Sequence, residues 1–230
     1  MAGNIKSFVL RSGRMSRAQE KSYEAGERFL IPYSEEVVDF SRYFGNDRPI
    51  TVEIGFGMGK ATAEIAAANP DCNYLCIEVF KAGIGKLLWE IEQRCLSNIR
   101  IIEHDAVEVI EKMTAPVSLT APASLAAVHI FFPDPWPKKR HHKRRLVQKP
   151  FAELLASRLG EGSYIYMVSD WENYAEEALA VFSAVPDLYN PYGGGFASGI
   201  SWRPRTKFEQ KGLAKSHPIK EIYLVKKTVP

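Results

Sequence analysis

I-T-V-E-I-G-F-G-M-G, running from Ile50 to Gly59, is a β-branched run that breaks into three glycines at alternate positions. An Ala-rich stretch with helical character follows over residues 60–69 and stops before Pro70. The unit is strand, glycine loop, helix, and it recurs. Residues 73–80 (N-Y-L-C-I-E-V-F) predict a second strand with Glu78 near its C-terminal end. Residues 81–96 predict an amphipathic helix with Ile84, Leu87, Leu88, Ile91 and Cys95 on one stripe. A third strand over 98–103 leads through His104 and Asp105 into a short helix over 107–113. The fourth strand, 125–132 (L-A-A-V-H-I-F-F), is almost continuously apolar, as a strand covered on both faces should be. A helix over 146–159, a strand over 163–169 and a helix over 172–184 make the fifth unit. Residues 221–227 close the chain as a strand, while 114–124 and 187–199 read as loops. Five strand-then-helix units in a row predict an α/β fold, a parallel sheet with right-handed crossovers and helices on both faces.

The chain has 230 residues, enough for one large domain and short for two. Residues 1–30 are polar, carry R-S-G-R-M-S-R-A-Q and show no apolar period, so they are expected to be a mobile basic arm. Residues 31–230 are expected to form the single domain. Apolar content of 46% and a net charge of +3 fit an ordinary globular protein. No apolar run reaches the roughly 18 residues that span a bilayer, and no export signal is visible, so a cytoplasmic protein without membrane contact is expected. Cys72, Cys76 and Cys95 are odd in number and lack C-x-x-C spacing, which points to free thiols in a reduced compartment. The five His do not fall at metal-ligand spacing, and no metal is expected.

Open α/β sheets bind ligands beyond the carboxyl ends of their strands. Acidic residues fall at four such ends: Glu53, Glu78, Asp105 and Asp134. Gly55 and Gly57 permit a tight turn and close approach of backbone to a ligand. The dinucleotide fingerprint wants G-x-G-x-x-G. Here Lys60 stands where its last glycine belongs, and the pattern is E-x-G-x-G-x-G, ending at Gly59. That spacing resembles the first motif of class I S-adenosylmethionine-dependent methyltransferases. A sulfonium cation and an ammonium group tolerate a carboxylate such as Glu53 nearby. Glu78 is placed to accept ribose hydroxyls, and Asp105 to accept from an adenine amino group.

After the fourth strand the chain reads F-F-P-D-P-W-P-K-K-R-H-H-K-R-R from Phe131 to Arg145. Pro133, Pro135 and Pro137 stiffen the turn that carries Asp134 and Trp136. Trp136 is suited to stack on a flat base. Residues 138–145 hold six Lys/Arg and two His, with no acidic neighbour in sequence until Glu153. Such a run can neutralise phosphates and release counterions.

E-I-G-F-G-M-G, I-E-V, H-D-A, F-P-D-P-W-P-K-K-R-H-x-K-R-R and T-K-F-E-x-K-G together resemble the bacterial tRNA (guanine-N7-)-methyltransferase family. The likeness runs from about Arg11 to Gly212, and the segment from Phe132 to Arg145 is its most specific part. It implies a Rossmann-like class I methyltransferase fold, with a mostly parallel central sheet and an antiparallel C-terminal strand. It implies methyl transfer from S-adenosylmethionine to a guanine in the tRNA variable loop. It implies that Glu53, Gly55, Gly57, Gly59, Glu78, Asp105 and Asp134 contact the donor, with Asp134 also catalytic. Lys138, Asp170, Thr206, Lys207, Phe208 and Glu209 would bind the substrate nucleoside. Arg140, His141, His142, Lys143, Arg144 and Arg145 would touch RNA. Lys207, Gln210 and Lys211 stand where arginines are common in relatives, which keeps charge at two positions but loses bidentate geometry. A monomer or homodimer acting on tRNA with no obligatory protein partner is expected.

The chemistry is consistent with this. N7 of guanine is an acceptor with a free lone pair, so its methylation needs no general base. The product base is cationic, and a carboxylate beside it stabilises the developing charge. Two other readings remain at this point. One is methylation of an exocyclic amine, which also uses an acid or amide before a Pro-aromatic pair. The other is an RNA-binding module that has lost the activity, against which the complete set of acids speaks. A dehydrogenase is the weakest, because Lys60 breaks the dinucleotide pattern.

Overall fold

The computed structural model describes residues 6–9, 13–117, 125–204, 209 and 218–228. Seven strands form one sheet in the order β3-β2-β1-β4-β5-β7-β6. They are β1 (Ile50–Ile54), β2 (Asn73–Ile77), β3 (Ile99–Ile102), β4 (Leu125–Phe131), β5 (Leu159–Ser169), β6 (Leu188–Tyr189) and β7 (Lys220–Lys226). The first five run parallel, and β7 lies antiparallel between β5 and β6. Parallel strands need crossovers, and helices supply them: α3 (Lys60–Ala68), α4 (Lys81–Gln93), α5 (Ala106–Met113), α6 (Lys149–Arg158) and α7 (Glu172–Ser183). The alternating strand–helix reading is therefore borne out, including the antiparallel last strand.

The core lies in two layers. Ile84, Leu87, Leu88 and Ile91 of α4 pack with Tyr74, Cys76, Ile99 and Ile101 on one face of the sheet. Val109, Ile110 and Met113 of α5 and Phe151 and Leu155 of α6 cover the other face with Val52, Leu75, Val128 and Ile130. Fully burying such a side chain is worth about 1.5–3 kcal/mol.

Two segments differ from the sequence expectation. Residues 17–29, expected to lack regular structure, hold two helical elements. Arg17–Ala25 forms α1, followed by a 3-10 turn over Glu27–Phe29. Ser16 and Gln19 make a reciprocal capping box, and Gln19 Nε2 donates to the Ala82 carbonyl on α4 at 3.0 Å. Gly85 lets the helices approach, since a Cβ there would stand 2.8 Å from the Gln19 carbonyl oxygen. A short helix α2 (Phe40–Phe44) follows. The second difference is the region 187–199, which holds β6 and a bridge from Ala197 to Glu221.

Candidate functional site

The strand order reverses between β1 and β4, and such a switch point opens a crevice at the carboxyl edge. Glu53, one residue from the end of β1, is 2% exposed. Its register neighbours are Cys76 on β2 and His129 on β4, and register partners share a face of the sheet. Neither neighbour is charged: burial lifts the Cys76 thiol and drops the His129 imidazole to about 3. Burial pushes Glu53 itself up to about 7, with the Thr62 hydroxyl opposing and the Glu78 charge adding to the rise. Glu53 Oε2 and Thr62 Oγ1 are nonetheless buried without a hydrogen-bond partner within bonding distance. A buried carboxylate oxygen with neutral neighbours is costly unless a cation or donor faces it.

The glycine loop runs beside it. Gly55, Gly57 and Gly59 have φ of 73°, 58° and 68°. No atom comes within 4 Å of the place a Cβ would take at Gly55 or Gly57, so the backbone there is open to a ligand. Gly59 is different: its Cβ would stand 2.6 Å from Leu87 Cβ, so the missing side chain lets α3 start against α4.

Glu78, just past β2, accepts from Gly57 N at 2.9 Å through Oε2, and from Val79 N at 2.8 Å and Phe80 N at 3.1 Å through Oε1. A carboxylate offers about four acceptor sites, so Glu78 braces the loop and keeps roughly one site for a hydroxyl. Burial raises its pKa, the three N–H donors oppose, and the nearby Asp134 charge raises it again. Asp105 caps α5, its Oδ1 accepting from Val107 N at 3.0 Å. Burial raises its pKa, the Val107 N–H opposes and Glu108 adds, while Lys6 and His104 counter them. Lys6 is thus near the end of β3, far in sequence from it.

Asp134 sits half-buried between two strained residues. Phe132 and Trp136 have φ of 53° and 46°, and each such bulky residue in the left-handed region costs about 1–3 kcal/mol. The surroundings hold the turn. Trp136 Nε1 donates to the Ser7 carbonyl at 3.0 Å, and the Arg144 guanidinium lies 4.0 Å from the indole centroid. That occupies a ring face which the sequence suggested for a base.

Lys139–Arg144 is a 3-10 helix rather than an open loop. Lys138, Lys139, Arg140 and Lys143 are exposed, and His141 and His142 are half-buried. Desolvation and then the surrounding cations hold His141 below the usual imidazole range. Arg144 donates to the carbonyls of Lys6 at 3.1 Å and Phe8 at 3.0 Å. Arg145 corrects the sequence expectation. It is 1% exposed and paired with Glu177, so it cannot reach a phosphate in this conformation. Glu177 also corrects the reading of the run as lacking acidic partners, since it lies 3.8 Å from His142 Nδ1 as well.

Asp170 follows β5 and is half-buried. Glu209 is buried and pairs with Arg203 at 2.8 Å. Thr206, Lys207 and Phe208 lie outside the described residues. Arg203, which the sequence did not single out, also donates to Tyr166 Oη at 3.3 Å and lies 3.6 Å from Glu221. Among the described residues no group of His, Cys, Asp and Glu comes together to hold a metal, and no helix is long and apolar enough to cross a membrane.

Comparison with known proteins places this chain in a family. A family model described as "Putative methyltransferase" matches residues 47–222. The tRNA (guanine-N(7)-)-methyltransferase of Burkholderia cenocepacia (strain HI2424) is 50% identical over 224 residues, covering 97% of this chain and 85% of that protein. The protein of the same name from Thiobacillus denitrificans is 47% identical, covering 95% and 93%. The solved 16S rRNA methyltransferase KamB matches with a TM-score of 0.51 at 12% identity, over 96% of this chain and 99% of that one. That structural likeness shows a shared fold. With half its residues shared over nearly its whole length, the chain belongs to the tRNA (guanine-N(7)-)-methyltransferase family.

Proposed function

We propose that the protein transfers a methyl group from S-adenosylmethionine to N7 of a guanine in the tRNA variable loop. One observation carries the reading: Glu53 Oε2 is buried, unpartnered and flanked by neutral side chains, beside an open glycine loop. That is the environment a bound organic cation completes. S-adenosylmethionine, when bound, supplies an electrophilic methyl on a sulfonium that leaves as a neutral thioether.

The chain's own residues then divide the work. Glu53 faces the donor's positive end. Glu78 holds the glycine loop and offers a lone pair to a ribose hydroxyl, and Asp105 stands at the next strand end. Asp134, close enough to Glu78 for their charges to interact, faces the base. N7 of guanine has no proton to lose, so no residue need act as a base, and the Asp134 carboxylate would meet the positive charge that appears on the methylated guanine. Asp170 and Glu209 accept from N1–H and the N2 amino group of guanine and so reject adenine. Lys138, Lys139, Arg140 and Lys143, exposed beside the turn, neutralise phosphates and draw the tRNA in. The enzyme works in the cytoplasm, as a monomer or homodimer.

The test is methyl incorporation into unmodified tRNA transcripts with and without the variable-loop guanine, with the modified atom mapped by mass spectrometry of digested RNA. N7-methylguanosine at that position, lost with the guanine, is expected. Label on an exocyclic amine would overturn the reading.

A further inference from the structure

Arg145 closes a run of cations, yet it is the one cation in that run whose side chain is wholly removed from solvent. Its Nε donates to the Pro135 carbonyl at 3.0 Å. One terminal nitrogen pairs with Glu177 and the other donates to Asn173 Oδ1 at 2.9 Å. The guanidinium lies 4.9 Å from the Tyr174 ring centroid, and the Tyr174 hydroxyl in turn accepts from Val147 N at 3.1 Å. Asn173, Tyr174 and Glu177 all belong to α7. Pro135 is the residue after Asp134.

We propose that Arg145 is a positioning residue for methyl transfer: it ties the turn carrying Asp134 to α7, and it is not an RNA contact. The turn needs such a tie. It has a left-handed bulky residue on each side of Asp134, and strained backbone persists only where its surroundings over-determine it. A planar guanidinium can reach a backbone carbonyl, a carboxylate and an amide at once, and an ammonium cannot. The energetics also exclude exchange between the two roles. Pulling Arg145 out to a phosphate would break its bonds to Glu177 and Asn173 and leave the Pro135 carbonyl without its donor. A displacement of about 1 Å at a reacting group can cost on the order of 10²-fold in rate. The inference rests on the reading that Asp134 stands at the reaction centre.

The experiment compares Arg145→Lys, Arg145→Gln, Glu177→Ala and Lys143→Ala, with rates normalised to donor-binding sites. Single-turnover rate constants, the tRNA KM and the salt dependence of tRNA binding are measured. For Lys143→Ala the slope of log K against log salt should fall by about 1. For Arg145→Lys and Glu177→Ala the single-turnover rate should fall at least tenfold, with KM and slope unchanged within twofold. Because lysine keeps the charge, the slope is read in Arg145→Gln: if that variant lowers it as Lys143→Ala does, Arg145 is a phosphate contact and the proposal fails. Glu177→Ala gives an opposite sign under that alternative: freeing Arg145 would tighten tRNA binding and leave the rate constant intact, which also overturns it. Should the Arg145 variants fail to fold, Glu177→Ala decides alone by the same criteria. Wild-type protein without activity on tRNA would refute the proposed substrate instead, a separate outcome.

Discussion

Gly83 on α4 lies so close to Gly57 in the glycine loop that a Cβ added to it would stand 2.0 Å from the Gly57 carbonyl oxygen. Backbone blocks the methyl, so no side-chain rotation relieves it. Gly83→Ala should therefore push the loop away from Glu78, whose Oε2 holds Gly57 N. The expected result is at least a tenfold loss of donor affinity by calorimetry and about 1–3 kcal/mol of stability. Gly85→Ala, two residues on, meets the Gln19 carbonyl at 2.8 Å instead. It should loosen α1 and leave donor affinity within about twofold of wild type, a ratio read in the same titration.

Glu53 makes a pH-dependent prediction with a definite sign. Its folded-state pKa of about 7 lies above the ordinary carboxylate value of 4.5. The native state therefore holds a proton that the unfolded chain has released, and stability falls as pH rises between those values. Below the window both states are protonated and the penalty vanishes. Glu53→Gln mimics the protonated form. Without donor, its stability advantage over wild type should be near zero at acid pH and grow to on the order of 3 kcal/mol above neutrality. Urea midpoints along a pH series measure this. The same variant should bind the cationic donor more weakly, because the counter-charge is gone.

The sequence carried most of this architecture because buried parallel strands announce themselves as apolar runs. β4 read as continuous despite His129, and the structure explains why: the imidazole is buried and neutral, so it behaves as an apolar residue. The four acids were legible because topology alone sends the carboxyl ends of parallel strands to one edge. Contacts made far along the chain were not legible. Nothing near Arg145 signals burial, because its partner Glu177 comes from α7, beyond α6 and β5. α1 was missed because it has no apolar stripe and is held by a capping box and the small residues of α4. The helix expected to start at residue 146 starts at Lys149, since Val147 N is held by the Tyr174 hydroxyl and Pro150 sits in the first turn. The strand expected over 163–169 already starts at Leu159, with Gly160 and Gly162 inside it.

Arg203 predicts a stability effect that its sequence context, W-R-P-R, does not suggest. The guanidinium is buried, with Glu209 at 2.8 Å and Glu221 at 3.6 Å. Removing it takes a buried cation away from two carboxylates. Arg203→Met should cost about 3–5 kcal/mol. Adding Glu209→Gln and Glu221→Gln to it should recover much of that loss, because the buried charges go with the partner. A double-mutant cycle in urea reads the coupling. If the triple variant is no more stable than Arg203→Met, the network does not contribute through charge.

Asp134→Asn separates chemistry from binding. The substitution keeps the size of the side chain and removes the charge that lies near Glu78. With that like charge gone, Glu78 should titrate lower; it keeps its three backbone N–H donors and its hold on the loop, so donor affinity should hold. The transfer step should slow, because the cationic base loses its counter-charge only as the new bond forms. Losing one preorganised electrostatic partner commonly costs on the order of 10²-fold in rate. A single-turnover rate lowered about that much, with calorimetric donor affinity unchanged, is the expected pair of results. A rate constant that survives while tRNA KM climbs would mean that Asp134 grips the nucleoside and leaves the developing charge to another group. Glu78→Gln supplies the contrast: it weakens a loop brace and, on the proposed role, a ribose acceptor, so donor affinity should fall first and the rate at saturation much less.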